Sequence, residues 1–498
     1  MKISHQIGKI IRALLLLPVY YSLSLLPAFG QRVLTLAESL EIAKSNSPDI
    51  KRSILNLESN RKTLDAQQAS LKSRFSLEIT PFDFNRRRVF DEFFSTWNTS
   101  EDYNSSGTFS VIQPITKTDG TLSLNNTFGY RDNFSEFQDM RTKTYYNNLY
   151  LQLDQPIFTY NRTTLQLKEL ELNLENAQIS HSIQLLNLEK NVTQGFYDVY
   201  QQQNTVQIAM DELENQQTSF DITKNKVEAG LLAKEELYQA ALNLASSKST
   251  LQNQQVTLEN SRDNFKVMIG MSIYEDINIL ADVSLSPYQI DLQEAIEHAL
   301  EQRQELRQRE IDIERSQFEL IRTNAQNEFK GNIALSMSIF GDDTKFSEVY
   351  ESPTNNPRVA VSFNIPLWDW GEKRARMAAS RANLEVSKVD LADQKNDIII
   401  NIRQVYRSLQ NLETQIDIAR QNVKNAELTY EINLERYQNG DLTSMDLNQF
   451  QIQLSDKKMA LSNALISYKL ELLNLKIQSL WDFETQQSIL NTSFSPNK

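Results

Sequence analysis

The chain has 498 residues and no cysteine, and it carries 51 Lys and Arg against 64 Asp and Glu, a net charge of −13. Without cysteine there can be no disulfide, no thiolate chemistry and no lipid anchor on a cysteine. The acidic balance argues against nucleic acid as a partner, since nucleic-acid-binding proteins need a basic face.

Residues 1–30 have the pattern of a secretory signal peptide. Lys2, Lys9 and Arg12 precede a largely apolar stretch that ends in the small-x-small site Ala28-Phe29-Gly30. Removal before Gln31 would leave 48 basic residues (51 − 3) against 64 acidic ones, a net charge of −16. The alternative is that this stretch stays on as a membrane anchor, although it is short for one.

The remainder of the sequence is duplicated. Pro156 aligns with Pro366 and Gly230 with Gly440 at an offset of 210, and no gap is needed between them. Upstream, Leu36 aligns with Leu292 at an offset of 256, so the first copy carries 46 additional residues (256 − 210) before Pro156. A long repeat defines the architecture. We expect a first repeat over 31–285, a second over 286–485 and a polar tail over 486–498.

Each repeat first presents segments in which apolar and polar residues alternate, as they do in strands and in membrane barrel strands. These segments are 76–84, 108–112, 121–128 and 148–154 in the first repeat, and 332–339 and 358–365 in the second. They predict β-structure over about 75–157 and about 332–366. Residues 117–120 predict a tight turn. The polar segments 85–107, 131–147 and 341–357 have no period and are predicted to be exposed loops.

A long helical hairpin is predicted after the strands of each repeat. In the second repeat apolar residues recur in steps of four and three, a heptad seam: Ile398, Ile402, Val405, Leu409, Leu412, Ile416, Ala419, Val423, Ala426 and Tyr430. The equivalent seam of the first repeat is more polar, because it contains Gln202 and Gln216. Each predicted rod is about 100 Å long and ends in a glycine, at Gly230 or Gly440, where the chain can turn back.

Between the repeats, residues 276–291 interrupt the helical pattern. They predict a short strand or a loop, with Asp291 as the N-cap of the next helix.

The sequence offers no catalytic motif. His181 and His298 are isolated on predicted helices without metal-ligand spacing, so we expect no enzyme activity, no cofactor and no metal site. The run Arg86-Arg87-Arg88 could contact lipid phosphates, but a solvated loop end is the preferred interpretation. Aromatic residues mark the entry to each rod, and either membrane anchoring or ordinary packing explains them: Phe158, Tyr160, Trp368 and Trp370.

These features together resemble the TolC-like outer-membrane efflux proteins over nearly the whole mature chain. The tip pattern of that family appears as Tyr437, Gly440, Thr443 and Asp446-Leu447, and the first repeat has a weaker copy: Val227, Gly230, Ala233 and Glu236-Leu237. Two departures stand out. The first repeat offers four strand segments where the family has two, and Gln449 stands where the family often has a second Asp.

The resemblance implies an α+β fold of long coiled-coil hairpins, which form a periplasmic α-barrel, and of strands in a shared trimeric outer-membrane β-barrel. It implies a passive exit duct of a tripartite efflux or type I secretion system. The partners would be two further copies, outer-membrane lipid, a periplasmic adaptor and an inner-membrane pump of the RND, ABC or MFS type. The alternative is a periplasmic coiled-coil adaptor or scaffold, against which the duplication and the amphipathic strands argue.

Two sets of residues are the candidate functional sites. The predicted adaptor contact lies at the hairpin tips: Gly230, Leu231, Leu232, Gly440, Asp441, Leu442 and Thr443. Asp446 lies within two helical turns of Gly440 and is the candidate periplasmic gate, because three copies of its carboxylate would be crowded at the mouth of a trimer.

Overall fold

The computed structural model describes residues 32–136, 139–284 and 290–489. The predicted signal peptide and residues 490–498 of the predicted tail lie outside the described residues. The described chain divides into two compact units. The first unit comprises residues 32–52, 183–284, 290–302 and 398–489, and the second comprises Ser53–Ser182 and Arg303–Asp397.

Eight α-helices are described, in two groups of four that follow the duplication. The first group is α1 (Leu36–Asn46), α2 (Pro48–Ser70), α3 (Arg162–Glu228) and α4 (Lys234–Ile269). The second group is α5 (Leu292–Gln302), α6 (Gln304–Asn324), α7 (Glu372–Asn439) and α8 (Ser444–Ser479). The rods α3 and α7 have 67 and 68 residues without a proline, so each is about 100 Å long.

The six long strands of the second unit form one antiparallel sheet in the order β2-β3-β4-β5-β7-β8. Their bounds are Arg74–Asp91 for β2, Thr96–Ile115 for β3, Gly120–Ser135 for β4, Met140–Ile157 for β5, Lys330–Asp343 for β7 and Thr354–Asn364 for β8. The first repeat contributes four of these strands and the second contributes two. The α+β fold class is confirmed, whereas the division into repeats at 285 and 485 stays a prediction.

The predicted loops 85–107 and 131–147 are wrong for most of their length, and the predicted loop 341–357 is wrong at both ends. Strand β2 continues to Asp91, and β3 begins at Thr96. In the same way β4 continues to Ser135, β5 begins at Met140, β7 continues to Asp343 and β8 begins at Thr354. Polar residues on both faces interrupt the alternation that reveals a strand in these stretches, but backbone pairing with the neighbouring strand still holds them.

The first unit is built on the predicted heptad seams. Six of the ten seam positions of α7 are buried: Ile398, Ile402, Val405, Leu409, Ile416 and Tyr430. In α3 the seam includes buried Val192, Val199 and Val206. The polar position Gln216 is buried as well, and its amide nitrogen donates to the side-chain oxygen of Asn448 on α8. The more polar seam of α3 is therefore satisfied by a hydrogen bond at Gln216.

Short strands close the first unit. Strand β1 (Arg32–Leu34) pairs in parallel with β6 (Ile277–Ile279), whose three residues fall in the predicted interruption between the repeats. Asp291 accepts from the backbone N–H of Gln293 at 2.7 Å, which confirms it as the N-cap of α5. Strands β9 (Trp481–Asp482) and β10 (Gln487–Ser488) form a hairpin, so regular structure continues past the predicted boundary at 485.

Within the described ranges no helix is long and apolar enough to cross a membrane.

Candidate functional site

The two hairpin tips, residues 229–233 and 439–443, have the same backbone geometry. Gly230 and Gly440 adopt φ values of +73° and +93°, in the left-handed region that favours glycine. Leu231 N–H donates to Lys226 O at 2.8 Å, and Asp441 N–H donates to Arg436 O at 2.9 Å. This bond across five residues ends both helices in a Schellman motif. The turn predicted at each glycine is confirmed, whereas the adaptor contact stays a prediction.

The two tips differ in how the returning helix begins. Thr443 is the N-cap of α8, and its hydroxyl oxygen accepts from Asp446 N–H at 3.2 Å. Ala233 occupies the equivalent position before α4, and it has no side chain that could cap the helix. Leu231 at the first tip is 74% exposed, whereas Leu442 at the second packs against a cluster of buried tyrosines and leucines. The second tip therefore has a helix cap and a packed leucine that the first tip lacks.

The candidate gate residue Asp446 is exposed in the chain and engaged with the cap. Its carboxylate accepts from the Thr443 hydroxyl at 2.7 Å, and it lies in the first turn of α8. A carboxylate at this place is favoured by the positive end of the helix dipole. Helix capping thus gives Asp446 one role, and a role at the mouth of a trimer stays a prediction.

A contact between the hairpins fixes the two long helices near their tips. The Lys226 ammonium on α3 donates to the backbone carbonyl oxygen of Tyr437 on α7 at 2.6 Å and lies 5.2 Å from the centroid of the Tyr437 ring. The hydroxyl groups of Tyr437 and Thr223 are hydrogen-bonded, and both side chains are buried. Sequence reasoning missed this contact, since the repeat aligns Lys226 with Arg436 but says nothing of what either touches.

A half-buried carboxylate, Glu212, lies on α3 about ten residues before the contact at Thr223. Burial raises the pKa of Glu212 on α3, although the hydroxyl groups of Ser247 and Ser455 partly oppose the shift. Gln451 on α8 donates to the backbone carbonyl oxygen of Glu212 at 2.7 Å. The carboxyl group therefore stands at a junction of α3, α4 and α8.

The two faces of the sheet have different chemistry. One face, which we call the polar face, presents amides, hydroxyls and charges on every strand. Examples are Asn104, Thr127, Asn148 and Ser338, and the Asn148 side chain accepts from the Ser338 hydroxyl at 2.7 Å. The four strands of the first repeat also line a groove on this face: Asp83, Asn85, Asp102, Asn104, Arg131, Asn133, Thr142 and Thr144.

The opposite face, the apolar face, carries large hydrophobic side chains in cross-strand rows. One row joins Phe75, Val111, Leu124, Leu151 and Met337 across five strands. Many residues of this face are exposed in the chain, including the edge residues Leu77 and Val359. An exposed apolar surface of this extent on one side of a sheet marks contact with lipid or with protein.

Three of the four aromatic residues at the strand–helix junctions are exposed, and Tyr160 is half-buried. Trp368 and Trp370 are 75% and 90% exposed, and their rings meet edge to face at 5.7 Å. Phe158 at the equivalent place of the first repeat is exposed as well. Phe158 also packs against Phe329, with the ring centroids 5.3 Å apart, so both interpretations of these residues stand.

The two histidines among the described residues, His181 and His298, have structural partners. His181 Nδ1 lies 2.8 Å from the Ser53 hydroxyl, and burial lowers the pKa of its imidazole. His298 stacks on Trp481 with the ring centroids 4.0 Å apart. In the part of the chain that the structure describes, no three His, Asp or Glu residues are grouped so as to hold a metal ion.

Comparison with known proteins decides the assignment. A model of the family described as outer membrane efflux protein matches residues 295–477. Over this range the chain is similar to the outer membrane efflux protein family. The match supports a place in the outer membrane, with the helices in the periplasm. It also supports an exit duct over an enzyme.

Solved structures of channels share the fold. The outer membrane channel CmeC of Campylobacter jejuni matches with a TM-score of 0.68 at 14% identity, over 90% of this chain and 88% of that chain. The outer membrane protein VceC of Vibrio cholerae matches with a TM-score of 0.64 at 14% identity, over 89% and 95%. The MtrE channel of Neisseria gonorrhoeae matches with a TM-score of 0.63 at 13% identity, over 89% and 88%. No curated protein matches the sequence.

Proposed function

We propose that three copies of this chain assemble into one continuous duct, which conducts substrate from an inner-membrane pump and a periplasmic adaptor to the cell exterior. The observation that carries this proposal is the six-stranded sheet with one polar and one apolar face. A membrane barrel needs this distribution, with apolar residues toward lipid and polar residues toward a water-filled lumen.

The edges of the sheet support assembly between copies. Among the described residues, β2 and β8 each pair on one side only, and long unpaired edges are avoided in stable proteins unless a partner covers them. Because neighbouring strands alternate in direction, β8 of one copy would run antiparallel to β2 of the next. Three copies would then close a barrel of eighteen strands (3 × 6), wider than the family's two strands per repeat would give.

The tips are the proposed docking site for the adaptor. Gly230, Leu231 and Leu232 form a partly apolar, exposed turn, and Gly440, Asp441, Leu442 and Thr443 form a more polar one. An adaptor would therefore meet two unlike surfaces in each copy. Whether the system is a tripartite efflux pump or a type I secretion system depends on the pump, to which the duct contributes no energy.

Disulfide crosslinking of the two edges tests this assembly. A cysteine at Leu77 in β2 would be combined in turn with a cysteine at Val359, Val361 or Phe363 in β8, all on the apolar face. The chain has no cysteine of its own, so any crosslink is due to the introduced pair. We expect one of the three pairs to give linked dimers and trimers on denaturing gels without reductant.

Leu124 in the central strand β4 provides the control. A cysteine there, combined with Val361→Cys, should give no linked species, because β4 is covered by strands on both sides. If no edge pair crosslinks, or if the protein leaves the cell envelope in soluble form, the alternative of a periplasmic adaptor or scaffold would be favoured instead.

A further inference from the structure

Strand geometry separates the three consecutive arginines of β2. Arg86 pairs across the strands with Glu101, and Arg88 pairs with Thr99, whereas Arg87 between them pairs with Ser100. Side chains alternate between the faces of a strand. Since Asn85 lies on the polar face, Arg87 does too, and Arg86 and Arg88 lie on the apolar face. The sequence run is therefore not a single cluster.

Two further basic residues join Arg86 and Arg88 on the apolar face. The row of Arg86 continues through Glu101 and Phe134 to Arg141 on β5, and Lys143 lies in the next row of the same strand. We call Arg86, Arg88, Arg141 and Lys143 the cationic row. The side chains of Arg86, Arg141 and Lys143 are 64%, 55% and 60% exposed, so they point outward from the sheet.

Two carboxylates hold this row in place without neutralising it. Asp132 accepts from Arg141 at 2.7 and 2.9 Å and lies 3.9 Å from Lys143, and Glu101 lies 3.3 Å from Arg86. Arg88 lies 5.0 Å over the ring of Trp97. Among the described residues, no carboxylate lies within ion-pair distance of Arg88. Among these six groups the cations exceed the carboxylates by two (4 − 2).

The cationic row lies where a membrane surface would be. On β4 the apolar face runs from Leu122 to Tyr130, and on β5 it runs from Leu153 back to Tyr145, eight residue steps in each case. This is about 27 Å along the strands, so a tilted band reaches roughly the height of a membrane barrel's apolar belt. Asp132 and Lys143 are the next pair on that face, directly beyond the tyrosines.

We propose that the cationic row binds the phosphate groups of anionic lipid in the outer leaflet of the outer membrane. The proposal rests on the proposed function, which directs the apolar face toward lipid and the helices toward the periplasm. The planar guanidinium groups of three arginines suit phosphate oxygens, with which they form paired hydrogen bonds. The carboxylates keep two of the arginines extended along the sheet, so less side-chain freedom is lost on binding.

Native mass spectrometry of the purified assembly tests the proposal. The protein would be titrated with phosphatidylglycerol and, separately, with neutral phosphatidylcholine. Each basic residue near an anionic membrane surface contributes about a fivefold factor in affinity. We therefore expect R86Q/R88Q and R141Q/K143Q each to bind phosphatidylglycerol about 30-fold more weakly than the wild type, with phosphatidylcholine binding unchanged.

R87Q is the matched control, because it removes the same charge from the same strand but on the polar face. We expect it to bind phosphatidylglycerol like the wild type. Equal loss in R87Q would overturn the proposal, since the effect would then be one of total charge. Unchanged binding in both double variants would overturn it as well. Displacement of the lipid by inorganic phosphate would show a general anion site and not a lipid site.

Flotation with neutral phosphatidylcholine vesicles separates this proposal from the proposed function. All variants should insert and float, because the apolar face is intact in each. A wild-type protein that fails to float would contradict the proposed function itself. Variants that float but keep their full affinity for phosphatidylglycerol would contradict the lipid site alone.

Discussion

The ammonium of Lys226 donates a 2.6 Å hydrogen bond to the backbone carbonyl oxygen of Tyr437. The same carbonyl also accepts from Gly440 N–H at 3.2 Å, and a cation at the C-terminus of α7 interacts favourably with the helix dipole. One hairpin thus supplies the C-terminal cap of the other. If one tip moves, either this hydrogen bond breaks or the other tip moves with it.

Loss of that bond should loosen the second tip. We expect Lys226→Met to speed amide hydrogen exchange in residues 437–443 by about tenfold, since a hydrogen bond from a charged donor contributes about 1.5 kcal/mol or more. Hydrogen exchange with mass spectrometry measures this. Lys224→Met, an exposed lysine on the same helix, is the control and should leave the exchange unchanged. Equal rates in all three proteins would show that the contact does not hold the tip.

The tip glycines should be needed for export and not for assembly. No atom lies within 4 Å of a Cβ added at Gly230 or Gly440, so a substitution there acts through backbone strain alone. Gly440→Val should cost about 1 kcal/mol or more. We expect Gly230→Val and Gly440→Val together to reduce export at normal trimer level. Asn tolerates the left-handed conformation better, so Gly440→Asn is the control. Normal export by the double variant would refute an adaptor contact at the tips.

Capping and gating by Asp446 can be separated. Asp446→Asn removes the charge, whereas Thr443→Val removes the cap and keeps the charge. We expect Asp446→Asn to weaken block of the purified trimer by trivalent cations on the periplasmic side of a planar bilayer. Thr443→Val should keep the block and lose about 1 kcal/mol of stability, as measured by thermal unfolding. Identical block in wild type and Asp446→Asn would place Asp446 away from the pore.

The turns that join β2 to β3, β4 to β5 and β7 to β8 should face the cell exterior. We expect cysteines at Glu92, Asp139 and Ser352, each in a turn between two strands, to react with an impermeant thiol reagent on intact cells. Lys117→Cys, in the turn at the opposite end of β3, should react only after the outer membrane is broken. The reverse labelling pattern would invert the topology.

Glu212 should make stability depend on pH. Burial raises its pKa in the folded protein above that in the unfolded chain, so the folded state is penalised at a pH where the carboxyl group is ionised. We expect Glu212→Gln to raise the melting temperature at pH 7. This gain should disappear as the pH falls below about 4, because the wild-type carboxyl group is then protonated in both states. Glu214→Gln, at an exposed position of the same helix, should have no such effect.

The sequence predicted those features that one segment encodes by itself. The seam steps of α7, the turn at each tip glycine and the cap at Asp291 follow from local pattern, and the structure bears each of them out. The strand segments nearest the turns at Glu92 and Asp139 do not follow from local pattern, because polar residues such as Asn98 and Asn133 break the alternation there. Only the partner strand determines their conformation.

Contacts between distant segments could not be predicted from the sequence for a similar reason. Lys226 and Tyr437 are 211 residues apart, and nothing in either local sequence indicates the other. The duplication predicted that the two tips share a backbone geometry, but it did not predict the contact between Lys226 and Tyr437. The repeat pattern aligns equivalent residues, whereas the contact joins residues that are not equivalent.

The count of strands in each half has a consequence for how such a duct can change over time. The first half contributes four strands and the second contributes two, so the difference is a whole hairpin. Insertion of one strand alone would reverse the direction of every strand after it and leave the chain at the wrong side of the membrane. In the proposed trimeric duct, a lineage can therefore enlarge the exit only in steps of two strands, and symmetry repeats each step threefold.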